Sequence, residues 1–304
     1  MKIAYSLPVS VLSNETIASM FPKWTAVKIE EKTGVRQRHV VGSETVLDMA
    51  ESASRKLLDE YSIKAGDFDF VLLCTQSPVF ALPPTACILQ HRLGVPTTAG
   101  ALDYDLGCSG FIYGLSLAKG LIRGGMANNV LLVTAESYSK YLRDDDVSTR
   151  TIFGDGAAAV VVDDKESNKI GNFIYGTDGG GADKLIVKNG KLHMDGPEIF
   201  NFTLDIVPEM IEKVLAKNNL TRGEIDYYVF HQANKFMLKS IRSVANLPKD
   251  RYYINLNETG NTVSSTIPIA LKQLEKNGKL APGMKLMLMG FGVGLSWGAT
   301  ILEW

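Results

Sequence analysis

An excess of positive charge is missing from this chain: its 304 residues carry 32 Lys and Arg against 33 Asp and Glu, a formal charge of −1. Binding nucleic acid calls for a broad cationic surface, so that class of function is set aside. Long apolar stretches are missing too. Runs such as Ala157 to Val162 fall far short of the ~20 residues a helix needs to cross a bilayer, and no membrane role is expected. The opening Met1–Pro8 has no basic region, long apolar segment or small-residue cleavage site, so a first strand of a cytoplasmic protein is expected there. Cysteine is scarce. Cys74, Cys87 and Cys108 cannot build a disulfide framework, and none sits in a C-x-x-C pair. The four histidines, His39, His91, His193 and His231, lack metal-ligand spacing, so no metal is expected.

What the chain has is an ordinary globular balance, 45% hydrophobic and 21% charged, with 28 glycines clustered at 107–110, 120–125, 154–156, 176–181 and 290–298. Such clusters mark turns where backbone approaches backbone or ligand. Strand-like runs at Phe70–Leu73, Val130–Val133, Ala157–Val162, Tyr227–Phe230 and Lys285–Met289 alternate with helical patterns. The helices are expected at Thr45–Tyr61, Phe111–Arg123, Ile206–Asn218, Lys235–Ala245 and Ile267–Asn277. This is an α/β protein.

It also contains a repeat. Lys64-Ala65-Gly66-Asp67-Phe68-Asp69 followed by a strand matches Thr221-Arg222-Gly223-Glu224-Ile225-Asp226 followed by a strand. The spacing is 157 from Gly66 to Gly223, 153 from Cys108 to Asn261 and 155 from Leu131 to Leu286. Near-constant spacing implies a duplicated α/β unit, residues 1–165 and 166–304, folded as one pseudo-twofold body. Corresponding strand and helix ends then meet near the axis, which would bring Cys108, His231 and Asn261 together.

Each of the three has its own local argument. Cys108 lies in Asp105-Leu106-Gly107-Cys108-Ser109-Gly110-Phe111, where a strand gives way to a helix. A thiol at a helix N-terminus is expected to favour thiolate, and the glycines to permit a strained elbow that exposes the sulfur. Cys74 and Cys87 have no such setting and are read as structural. His231, in Phe230-His231-Gln232-Ala233-Asn234, ends a buried strand in an unusually polar spot. Asn261, in Thr259-Gly260-Asn261-Thr262-Val263-Ser264-Ser265, reads by itself as a helix cap.

Taken in order, D-x-G-C-S-G-F, H-Q-A-N and G-N-T-x-S-S-x-I-P-x-A-L resemble the β-ketoacyl-acyl-carrier-protein synthase III family of thiolase-fold condensing enzymes. Phe153-Gly154-Asp155-Gly156-Ala157, Met194-Asp195-Gly196-Pro197-Glu198-Ile199-Phe200 and the closing Gly290-Phe291-Gly292-Val293-Gly294 belong to the same resemblance, which runs from about Leu7 to Trp304. It implies a thiolase-like fold layered α-β-α-β-α, a homodimer, no cofactor, and a Cys108-His231-Asn261 site. The substrates would be thioesters of coenzyme A or of an acyl carrier protein. Cys108 would take the acyl group. His231 and Asn261 would hold the malonyl thioester carbonyl as carbon dioxide leaves, and the N–H groups of Cys108 and Val293 the condensation oxyanion. Fatty-acid initiation is the leading reading, with a synthase of specialised metabolism as its rival. A papain-like cysteine hydrolase and a non-catalytic thiolase-fold subunit are the alternatives of other classes.

The peripheral contacts depart from the family pattern. Lys28 stands where the family usually has a tryptophan on the adenine of coenzyme A, with Trp24 four residues upstream. Lys32 replaces a common Arg, Arg150 matches a family contact, and Asn234 completes the donor set. Carrier docking is expected on the helix face of Lys235, Lys239 and Arg242. The acyl pocket is assigned Phe153 and, from a loop crossing to the partner subunit, Leu82 in Ser77–Pro84. Leu82, where a Phe is often found, implies a somewhat longer or branched acyl group.

Overall fold

The computed structural model describes residues 1–304. In chain order the first half contributes β1 (Ile3–Ser6), β2 (Val11–Ser13), α1 (Asn14–Met20), α2 (Ala26–Thr33), β3 (Gln37–His39) and α3 (Val46–Tyr61). It continues with β4 (Phe70–Cys74), α4 (Thr85–Leu93), β5 (Gly100–Tyr104), α5 (Gly110–Arg123), β6 (Asn129–Glu136), α6 (Val147–Arg150) and β7 (Gly156–Asp163). After α7 (Asp164–Lys169) come β8 (Ile170–Thr177), β9 (Leu185–Lys188), β10 (Lys191–Met194), α8 (Gly196–Lys217), β11 (Tyr227–Phe230) and α9 (Lys235–Val244). Helix α10 (Thr266–Lys276) and strands β12 (Lys285–Gly292) and β13 (Ser296–Glu303) close the chain.

The two large sheets share a similar strand order. One sheet runs β1-β7-β6-β4-β5 and the other β8-β13-β12-β11. In both, the two strands nearest the crossover helix are parallel (β4 with β6, β11 with β12) and the next pairings are antiparallel. The second sheet lacks a fifth strand, but Tyr252 bridges Tyr228 in parallel where β5 would pair with β4. The matched turns Ala65–Asp67 and Arg222–Glu224 are both single 3₁₀ turns in which Asp67 and Glu224 accept from the backbone N–H three residues earlier.

Helices α5 and α10 lie between the sheets. Phe111, Ile112, Leu115 and Ala118 of α5 and Ile267, Ala270, Leu271 and Leu274 of α10 share one buried cluster with strands of both halves, among them Ile3, Leu132, Val229 and Leu288. Helices α3 and α4 cover the outer face of the first sheet, and α8 and α9 that of the second. The layers are α-β-α-β-α, which puts the N-termini of the two central helices in the interior.

Two element boundaries differ from expectation in ways that bear on the site. Helix α8 starts at Gly196, well before Ile206, because the Asp195 side chain caps it (3.1 Å to the Glu198 N–H) and Pro197 suits the first turn. Pro208 removes one backbone donor from α8, and the buried face of Val207, Met210, Ile211 and Val214 carries the helix past it. Strand β12 runs on from Met289 to Gly292, so its end reaches the nucleophile.

Candidate active site

Cys108, His231 and Asn261 line a single cavity of about 210 Å³, together with Phe153, Asn234 and Phe291 among others. All three are buried. Cys108 precedes α5, His231 follows β11, and Asn261 precedes α10, so each sits where an element ends at the centre of the molecule.

The backbone of Asn261 is stitched to the other half. Its N–H donates to Ile152 O at 2.9 Å and its carbonyl accepts from Gly154 N–H at 3.0 Å, forming a bridge with Phe153. Its side chain is divided. Oδ1 accepts from Val263 N–H at 2.8 Å, while Nδ2 lies 3.4 Å from His231 Nε2. The oxygen thus closes the turn at Val263 in place of the helix cap expected, and the amide nitrogen is presented to the cavity. Helix α10 itself takes no side-chain cap from Asn261.

His231 Nδ1 lies 2.8 Å from Thr266 Oγ1. That hydroxyl donates its one proton to Val263 O at 3.1 Å, so it offers the ring only a lone pair. The proton therefore sits on Nδ1 and Nε2 carries a lone pair, an assignment made from the hydrogen-bond pattern. Burial pulls the imidazole down to about 3, so the ring is neutral throughout the physiological range.

Cys108 departs from the sequence expectation. Burial, and then the nearby Glu136 carboxyl, push its thiol up to about 12, outweighing the favourable helix N-terminus. The resting sulfur is a thiol. Nor is the elbow strained: no residue from 107 to 110 has positive φ. Gly107 and Gly110 supply room instead. A Cβ on Gly107 would stand 2.5 Å from Gln76 Oε1 and 2.8 Å from Val293 Cγ1, and one on Gly110 would run into Cys74 Sγ. The strain lies in the turn after Asn261, at Val263, whose φ of 54° is an outlier for a β-branched residue and costs roughly 1–3 kcal/mol.

The glycine-rich closing segment presses on the nucleophile. A Cβ on Gly292 would sit 2.8 Å from Cys108 Cβ and 3.0 Å from Sγ. Val293 turns its side chain over Gly107 and lines a second cavity of about 310 Å³ with Gln76, Asp105, Tyr138 and Leu185.

Other predicted contacts are dispersed. Phe153 and Asn234 line the triad cavity, and Asn234 also caps α9 through Met237 N–H at 2.8 Å. Lys28 and Lys32 lie outside it, with their ammonium groups 4.9 and 5.0 Å from the centre of the Trp24 ring. Arg150 is also outside, tied to Asp144 and to the Arg143 carbonyl. Lys235 packs on Gly34, whereas Lys239 and Arg242 line a separate groove with Lys249 and Lys279. Leu82 is 82% exposed in the single chain and touches neither cavity. Thr266 and Glu136 escaped the sequence reading, although Thr266 sits inside a string it singled out.

Comparison with known proteins follows the same lines. Residues 102–179 match the family described as 3-oxoacyl-[acyl-carrier-protein (ACP)] synthase III, and residues 215–304 match its C-terminal counterpart. A β-ketoacyl-[acyl-carrier-protein] synthase III of Staphylococcus saprophyticus is 37% identical over 280 residues, covering 91% of this chain and 89% of the relative. The chain belongs to the 3-oxoacyl-[acyl-carrier-protein] synthase III family. A crystal structure of a synthase III superposes with a TM-score of 0.97 at 46% identity, covering 99% of this chain and 98% of that one. A synthase III from Aquifex aeolicus gives 0.94 at 32% identity over 100% and 98%. The fold is the thiolase-like fold of these synthases, and the enzyme is an acyl-transferring condensing enzyme of fatty-acid initiation, which displaces the hydrolase reading.

Proposed function

We propose that Cys108, His231 and Asn261 perform the synthase III reaction in three distinct roles. What supports this is their convergence on one buried cavity in a chain of this family. His231 Nε2, with its lone pair, takes the Cys108 proton as the sulfur attacks the donor thioester. Collapse of the adduct expels the donor thiolate, which leaves with that proton. The neutral thiol is then no obstacle, because the base acts only as the bond forms. Malonyl thioester next loses carbon dioxide, and the enolate oxygen is held by the Asn261 Nδ2–H. The enolate carbon attacks the acyl-Cys108 carbonyl, whose oxyanion falls to the N–H groups of Cys108 and Val293. The Cys108 thiolate departs and takes a proton from solvent.

No cofactor is needed for these steps, since decarboxylation generates the carbon nucleophile. Coenzyme A or an acyl carrier protein delivers the donor past Lys28, Lys32, Arg150 and Asn234, and an acidic carrier docks on Lys235, Lys239 and Arg242. The enzyme works as a cytoplasmic homodimer. The exposed Leu82 and the unpaired outer edge of β5, with Leu102 39% exposed, are the surfaces a second copy would cover.

Intact-protein mass spectrometry after incubation with mixed acyl thioesters tests the reading. A single acyl adduct on Cys108, absent from Cys108→Ala and followed by a 3-oxoacyl product when malonyl carrier protein is added, is expected. An adduct on Cys74 or Cys87 overturns it.

A further inference from the structure

Glu136 ends β6, is fully buried, and forms no ion pair. A buried carboxyl is tolerated only when its lone pairs are used. Gln76 N–H reaches its two oxygens at 3.0 and 3.2 Å, Ser77 Oγ donates to Oε2 at 3.1 Å, and Ser264 Oγ donates to Oε1 at 3.0 Å. These donors come from both halves of the chain. Gln76 and Ser77 follow β4, while Ser264 lies in the turn that carries Asn261. The neighbours Asp105, Cys74, Cys108, Tyr104, Tyr138 and Tyr141 add no cation to the cluster.

We propose that Glu136 is a positioning residue for the condensing step, clamping the turn that carries Asn261 onto the first half so that the Asn261 amide stays directed at His231. Val263 is the reason a clamp is needed. A β-branched residue at positive φ persists only where its surroundings over-determine it. Three bonds do so here: Val263 N–H to Asn261 Oδ1, Thr266 Oγ1 to Val263 O, and Ser264 Oγ to Glu136. The last joins the turn to the other half of the chain right beside Val263, between the Asn261 backbone bonds to Ile152 and Gly154 and the Ser265 Oγ, which lies 3.1 Å from Thr134 O. Without it Val263 relaxes toward negative φ, its N–H leaves Asn261 Oδ1, and the carboxamide is free to rotate away from Nε2. Acylation of Cys108 does not need that amide, so the two half-reactions separate.

The inference rests on the reaction proposed above, and its test has one arm that needs no substrate. Glu136→Ala should slow malonyl decarboxylation at least tenfold while acyl transfer to Cys108 falls less than threefold. Glu136→Gln keeps a side chain that can bond both serines and should recover most of the loss. In the substrate-free enzyme, amide exchange of residues 263–266 should quicken at least tenfold in the Ala variant and stay near wild type in the Gln variant. Ser264→Ala, which removes one bond of the clamp, should show the same pattern should Glu136→Ala fail to fold. Equal losses in both half-reactions, a Gln variant as poor as Ala, or unchanged exchange overturns the proposal. A wild-type enzyme that acylates Cys108 yet never decarboxylates malonyl thioesters sinks the reaction scheme instead, and amide exchange still decides the role of Glu136.

Discussion

Asn261 presents its amide nitrogen to His231 at 3.4 Å, a donor facing a ring nitrogen that holds no proton. The family resemblance assigns both residues the same work on the malonyl carbonyl. The tautomer separates them. Asn261→Ala should lose at least ~10² in decarboxylation, the usual size of one transition-state donor, and keep acylating Cys108. His231→Ala should lose acylation of Cys108, the step in which its lone pair takes the proton, and lose malonyl decarboxylation far less than Asn261→Ala does. Single-turnover acylation beside carbon dioxide release measures the split, and two variants with the same profile would refute it.

Gly292 leaves no space for a side chain beside Cys108. Gly292→Ala should keep the fold, since its φ is unexceptional, and lower acylation by about two orders of magnitude, the scale expected when reacting atoms shift by about 1 Å. Circular dichroism and the acylation rate together check this. A near-normal rate would show that the segment moves freely.

The neutral histidine predicts an acid-sensitive fold. His231 sits at about 3 in the folded enzyme against roughly 6.5 when unfolded. The unfolded chain therefore binds the proton first, and stability present above pH 6.5 is lost progressively as pH falls toward 3. Between pH 6.5 and 4.5 the loss from this group is about 2–3 kcal/mol. Tm measured across that window should fall less steeply in His231→Gln than in wild type, and equal slopes would contradict the assignment.

Leu82 is exposed where the resemblance gives it to a partner's acyl pocket. Leu82→Phe should leave the fold intact and shift primer preference toward acetyl, by a change on the order of 1–3 kcal/mol in selectivity. Competition between acetyl and longer acyl thioesters reads the shift. An unchanged profile, or a monomer in solution, removes Leu82 from the pocket.

The likeness of the two sheets is legible because Gly66 and Gly223 stand in matching turns and Phe70 and Tyr227 open matching strands. Cys108 and His231 could be found because each is an unusual residue type at an element end. Glu136 could not, since an acid at the end of an apolar strand reads as a solvated tip until Ser264, 128 residues away, is seen to donate to it. The ionisation of Cys108 was misjudged for a related reason: a helix N-terminus is local and visible, whereas burial by both halves is not. The early start of α8 was hidden by the motif around Met194–Phe200, which drew attention as a string and obscured Asp195 as a cap.

The two sheets share a similar strand order, yet the candidate site is a single cavity. Where the second half places His231 beyond its parallel strand, the first places Cys74, whose sulfur donates to the Leu106 carbonyl at 2.8 Å beside the N-terminus of α5. Cys108 and Asn261 occupy matching stations ahead of the two central helices. Cys74 thus packs against the start of α5, while Cys108, His231 and Asn261 line the one cavity together. The chemistry draws Cys108 from one half and His231 and Asn261 from the other, so neither half holds a complete site.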